Sequence, residues 1–218
     1  MNERKWNLFL KRLWPFQFMP FADFVFAAGS LATGKIHEDS DFDVLVGVRQ
    51  GRIFTARFCA VVLFRLLGWG RKAEDSKESA KDKICLNHFV TSCAYRLSPP
   101  HNEYWKLLYQ SLVPVYGSPA KIQAFWDANQ DWMGMRKVYA PDQRHQYQKK
   151  SWIQNVLELL LSGFVGDWVE RQLKKIQLQK IVLRQKQNEY QPRLIVSDEE
   201  LEFHPHTQRI EEFLENKK

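Results

Sequence analysis

Apolar and polar positions along the chain follow two different rhythms. Before about residue 98 the dominant signal has a period of two. Phe24-Val25-Phe26 is an apolar, aromatic block, Asp41-Phe42-Asp43-Val44-Leu45-Val46 alternates, and a further strand is predicted over 83–91. Residues 3–14 mix basic and apolar positions as a short helix ending before Pro15 would, and Arg52 to Trp69 reads as a helix stopped by Gly68 and Gly70. The nearly all-round apolar character of that helix predicts packing against a sheet, and the charged stretch 71–82 reads as a loop.

From Pro99 onward the spacing becomes helical. Helices are predicted over Glu103 to Tyr116 and, with Pro119 in the first turn, through Ala120 to Trp132. Gly134 to Asp142 reads as a hinge, and Gln143 to about Gln187 as one long helix or a pair with a bend at Gly163 and Gly166. In that segment Trp152, Val156, Leu159, Leu160, Phe164 and Trp168 form an apolar stripe expected to lie in a helical core. The tail from Pro192 is expected to be an extended piece followed by a short acidic helix. The pattern predicts an α/β (α+β) fold with a compact core over 1–98 and a mostly helical region over 99–218.

Composition narrows the class. A hydrophobic content of 44% with 14% aromatic residues in 218 positions excludes a disordered chain. Lys and Arg outnumber Asp and Glu by 32 to 25, and the resulting charge of +7 favours polyanions: nucleotides, RNA or an acidic protein. The basic side of Glu170 to Lys186 could follow a phosphate backbone, although a solvated face is the ordinary meaning of such a run. Cys59, Cys85 and Cys93 form no CxxC pair, so neither a zinc site nor a disulfide framework is expected from them. Lys11 and Arg12 interrupt the opening apolar run, and Arg65 and Glu158 break the oiliest later segments, so a cytoplasmic protein without a membrane partner is expected. His88 and His101 are single histidines with packing or surface roles by default. His204 and His206 make a weak metal-ligand pair without a third donor.

The chemistry concentrates between Phe24 and Val46. Gly29 to Lys35 matches the first seven places of the phosphate-binding loop GxxxxGK[ST], but the eighth is Ile36, which has no oxygen for Mg²⁺, and a strand follows where that loop needs a helix. Two strands joined by a Gly29-Ser30 turn fit better. Asp41 and Asp43 then point to one face, because side chains at i and i+2 of a strand do. Two carboxylates so close repel each other, and a divalent metal is the usual remedy. Carboxylates holding a metal, beside a glycine turn that backbone phosphate contacts can approach, suit phosphoryl transfer.

Gly29-Ser30, a short spacer and Ser40-Asp41-Phe42-Asp43 resemble the GS…DxD signature of the DNA polymerase β-like nucleotidyltransferases, particularly the small bacterial members, over roughly residues 20 to 95. The resemblance implies a nucleotidyltransferase core with a small mixed sheet. It also implies Ser30 beside nucleotide phosphates, and Asp41 and Asp43 as catalytic, metal-binding residues for Mg²⁺ or Mn²⁺. Gly29, Ser30, Lys35 and Asn87 are the expected nucleotide contacts, Lys35 standing in for arginines that many members carry where this chain has Leu31 and Thr33. The family's third carboxylate has no counterpart inside the strand 83–90, where Cys85 or Asn87 takes the place and Asp82 stands at its leading edge. The expected activity is transfer of a nucleoside monophosphate from an NTP, ATP in the first instance, to an acceptor such as RNA or a protein. The alternative is an inactive module of the same fold that binds nucleotide, RNA or a protein, and a helical partner protein is a third expectation carried by the resemblance.

Overall fold

The computed structural model describes residues 2–72, 74–134, 136–140, 142–185 and 193–204. Six strands form one mixed sheet: β1 (Ala22–Ala27), β2 (Phe42–Val48), β3 (Ile84–Thr91), β4 (Val113–Gly117), β5 (Arg193–Val196) and β6 (Glu200–His204), in the order β4-β1-β2-β3-β6-β5. β2 and β3 are parallel, joined through helix α3; every other neighbouring pair is antiparallel. The helices are α1 (Asn2–Lys11), α2 (Gly29–Ala32), α3 (Ile53–Leu66), α4 (Lys77–Ala80), α5 (Glu103–Gln110), α6 (Pro119–Ala128), α7 (Gln130–Met133), α8 (Trp152–Leu160) and α9 (Gly163–Gln185).

The alternation along the strands sorts their side chains into two cores. Val25, Val44, Val46 and Phe89 join Phe9 of α1 and Phe54, Ala60 and Phe64 of α3 on one face. Phe24, Phe26, Leu45 and Val90 join Trp105 and Tyr109 of α5 and Ile122 and Phe125 of α6 on the other. The sheet is therefore the middle of three layers, each face covered by helices. α9 is fastened across α3 by polar contacts: the Glu170 carboxylate accepts from the backbone N–H groups of Phe54 and Thr55, both at 2.8 Å, and so caps the start of α3.

Three expectations change here. The region beyond residue 98 supplies helices α5 to α9, but also half of the sheet, so the expected division at 98 does not divide the sheet. The helix expected over Glu103 to Tyr116 stops at Gln110, and Val113–Gly117 is instead edge strand β4, where the missing N–H of Pro114 costs nothing. Residues 143–150 precede α8 as irregular chain, and the extended piece of the tail is the hairpin β5–β6; the acidic helix expected after it lies outside the described residues.

The apolar stripe is also placed differently. Trp152 is 73% exposed, Leu159 76% and Phe164 81%, while the polar Gln154 and Glu158 are buried. Glu158 accepts from the Phe21 N–H at 2.9 Å and pairs with Arg49 at 2.5 Å and Lys150 at 2.6 Å; Gln154 accepts from the Tyr116 hydroxyl at 2.6 Å. A buried carboxylate with that many donors keeps the polar side of α8 inward and leaves its apolar side at the surface. Among the described residues no helix is long and apolar enough to cross a membrane.

Candidate functional site

β1 runs into Ala28, and the chain turns at Gly29, whose φ of +63° lies in the region that favours glycine. A second constraint acts on the same residue. A Cβ built there would sit 2.2 Å from Oδ2 of Asp43, so the Gly29 backbone lies directly against that carboxylate. The Ala28 N–H donates to the Asp43 carbonyl at 2.9 Å and fixes the register of the approach. What the sequence predicts as a simple turn is the single-turn helix α2, tightened by the Thr33 hydroxyl donating to the Gly29 carbonyl at 3.1 Å. Ser30 stands half-buried at its start, and Lys35 lies exposed in the loop that follows.

Asp41 precedes β2 and Asp43 is its second residue; their carboxylates and the Cys85 sulfur all lie within 4.8 Å of one another. Residue spacing alone brings the two acids to one face, and the parallel register of Asp43 opposite Cys85 adds the thiol. Asn87 donates its side-chain N–H to Asp43 Oδ1 at 3.3 Å. Burial, followed by repulsion from Asp41, raises the Asp43 carboxyl to about 7, against the opposing pull of Arg71 and the hydrogen bonds of Cys85 and Asn87. Burial and then the charges of Asp43 and Asp41 hold the Cys85 thiol well above its ordinary range, so it is a neutral thiol.

Arg71 is the site residue that the sequence does not reveal. Its guanidinium donates to Asp41 Oδ2 at 2.5 Å and lies 3.7 Å from the Cys85 sulfur. The loop assigned to 71–82 conceals a short β-bridge: Gly70 pairs with Ile84, and the Arg71 N–H donates to the Ile84 carbonyl at 2.9 Å. That bridge carries Arg71 to the acids. Asp82, the carboxylate at the leading edge of β3, is used elsewhere. It accepts from the buried Lys5 ammonium at 2.7 Å, and Lys5 also donates to the carbonyls of Glu38 and Ser40, which anchors the loop leading into Asp41.

The donor set fits one hard dication. Two carboxylates can take a magnesium ion, which is commonly held by one or two carboxylates with water and substrate phosphates completing its shell. Cys85 offers sulfur, which such an ion avoids, and Asn87 offers an amide oxygen; neither supplies the third negative charge that a pair of ions would need. Asp41, Asp43, Gly29 and Asn87 thus meet around one point, with Ser30 next to Gly29 in the chain and Lys35 exposed in the loop beyond.

A cavity bounded by Asp23, Arg49, Lys121 and Lys150 lies at the other end of β1 and is part of the Asp23 and Glu158 ion-pair network. No protein-family model matches the chain, and neither a curated protein nor a solved structure matches it.

Proposed function

We propose that the chain binds a magnesium–nucleoside triphosphate, ATP in the first instance, at Gly29, Ser30, Asp41 and Asp43 and transfers a nucleoside monophosphate from it to an acceptor. The observation that carries this reading is the convergence of two carboxylates on one face directly under a glycine whose backbone touches one of them. Such a juxtaposition places close-approach backbone beside a dication site, which is what a triphosphate needs.

Asp41 and Asp43 would hold the magnesium, which supplies the positive charge that offsets the phosphates. Gly29, lacking a Cβ, lets the Asp43 carboxylate lie against its backbone, and Ser30 offers a hydroxyl donor to the phosphates. Arg71 compensates Asp41 and adds a permanent positive charge to the site; Lys35 adds another at its edge. Asn87 orients Asp43 through its N–H.

A second reading is favoured by Cys85 and Asn87 standing where a third carboxylate would act: a nucleotide-binding module without transfer. An amide cannot take a proton from an attacking hydroxyl, and burial and the neighbouring acids keep the Cys85 thiol neutral, so it does not act as a base either. Incubation with α-labelled ATP and magnesium separates the two. Transfer predicts an incorporated label and released pyrophosphate, both lost in Asp41→Asn and Asp43→Asn. Calorimetric binding of magnesium–ATP without pyrophosphate release supports the second reading, and asparagine variants that label as well as the parent refute the first.

A further inference from the structure

We propose that His88, Glu200 and Glu202 form a buried site for a transition-metal dication of the zinc class, and that the ion pins the β5–β6 hairpin to the sheet. This site is separate from the paired aspartates. Its geometry follows from strand register. His88 on β3 lies directly opposite Glu202 on β6, and Glu200, two residues away, opposes Val90 and shares the face of Glu202. One imidazole nitrogen and one oxygen of each carboxylate lie within 4.8 Å of one another, and the three residues are 3%, 3% and 0% exposed in chain order.

Two carboxylates and one imidazole gathered this closely inside the protein form a donor set whose charge a dication matches. The ring is also held as a ligand's ring is held. Nε2 lies 3.2 Å from Glu200 Oε1, while Nδ1 lies 3.3 Å from the Tyr109 hydroxyl. A hydrogen bond at the nitrogen away from the metal is the usual means of fixing a histidine ligand. The carboxylates are oriented as well: the Ser98 hydroxyl donates to Glu200 Oε2 at 2.7 Å, and the Tyr109 hydroxyl to Glu202 Oε1 at 3.4 Å. Imidazole nitrogen with carboxylate oxygen selects zinc, cobalt or iron over magnesium and calcium, which take oxygen alone. Donors bound at about 2.1 Å around one tetrahedral ion stand roughly 3.4 Å apart, so a small contraction of the cluster would bring three of its four donors into place. The hairpin gains most from this, because among the described residues the β6–β3 ladder is short, three residue pairs long.

The test uses the full chain stripped with a chelator, with zinc and then cobalt as probes. Expected are one zinc bound with unchanged affinity in Asp43→Asn, and a cobalt spectrum free of the near-ultraviolet thiolate band that Cys85 would contribute. His88→Gln and Glu202→Gln should weaken zinc at least tenfold, and zinc should slow amide hydrogen exchange over residues 193–204. The cobalt spectrum and the exchange are read on the unmutated chain, so they decide the matter even where a variant fails to fold. Zinc binding lost in Asp43→Asn or Cys85→Ser, no zinc bound by the unmutated chain, or zinc that leaves hairpin exchange unchanged would overturn the proposal.

Discussion

Gly29→Ala tests the contact on which the site is built, and Gly34→Ala provides its control. Both glycines have positive φ, +63° and +74°, so each substitution costs roughly 1–2 kcal/mol for placing a Cβ in the left-handed region. At Gly34 nothing lies closer to the new Cβ than an Asn2 nitrogen at 3.9 Å. At Gly29 the Cβ meets Asp43 Oδ2 at 2.2 Å, and the carboxylate must withdraw until the contact exceeds 3.4 Å. Forcing Asp43 off its rotamer costs about 0.5–1.5 kcal/mol, and losing the Asn87 hydrogen bond about 1 kcal/mol. Gly29→Ala should therefore be about 2 kcal/mol more destabilising than Gly34→Ala, a difference of roughly 1 M in the urea midpoint. Against an Asp43→Gly background the excess should fall to within about 0.5 kcal/mol of zero, because the crowding Oδ2, Cγ and Cβ of Asp43 are all gone. Equal costs at the two glycines, or an excess that survives without the Asp43 carboxylate, would refute the reasoning.

Three further outcomes follow from the same contacts. The Asp43 carboxyl titrates near 7 in the folded chain and near 4 when unfolded, so the unfolded chain releases this proton first as pH rises; the group's contribution to stability falls between about pH 4 and 7. Asp43→Asn should accordingly be stabilised relative to the parent above pH 7 and lose that advantage below pH 4 in urea titrations; an advantage independent of pH would contradict the assignment. Glu170→Ala removes the acceptor of two N–H groups at the start of α3 and should cost about 1–2 kcal/mol, again by urea unfolding, with no cost if the cap is immaterial. Arg71→Gln removes the cation paired with Asp41 and should raise the affinity of magnesium alone, measured by calorimetry; weaker magnesium binding would show that Arg71 does not compete for that carboxylate.

Much of the core was legible because local pattern and tertiary burial agree there. Phe24-Val25-Phe26 and the alternation from Asp41 to Val46 mark β1 and β2, since each face of those strands meets its own apolar layer. β4 is harder to read: Val113 to Gly117 follows α5 without a charged break, and the apolar and aromatic spacing of Glu103 to Gln110 runs on through it. Pro114 was the available signal, because a proline inside a helix removes a hydrogen bond whereas an edge strand tolerates it. In α8 spacing identifies which residues share a face but not which face turns inward. That choice is made by Arg49, Lys150 and Tyr116, which are distant in sequence and draw Glu158 and Gln154 inside. The candidate site divides in the same way. Asp41, Asp43 and Gly29 are visible from local spacing, whereas Arg71 reaches the acids through the bridge from Gly70 to Ile84, and Asp82 is claimed by Lys5 of α1, more than seventy positions earlier in the sequence. His88 looks solitary in the sequence because its carboxylate neighbours lie more than a hundred positions later on β6.

The most direct test of the central claim is anomalous scattering from a crystal soaked with manganese and a non-hydrolysable ATP analogue. A manganese peak bound by the Asp41 and Asp43 carboxylates, with triphosphate oxygens packed against Gly29 and Ser30, is the predicted result. A map in which Arg71 still holds Asp41 and no manganese or phosphate lies within coordinating distance of either acid would contradict it.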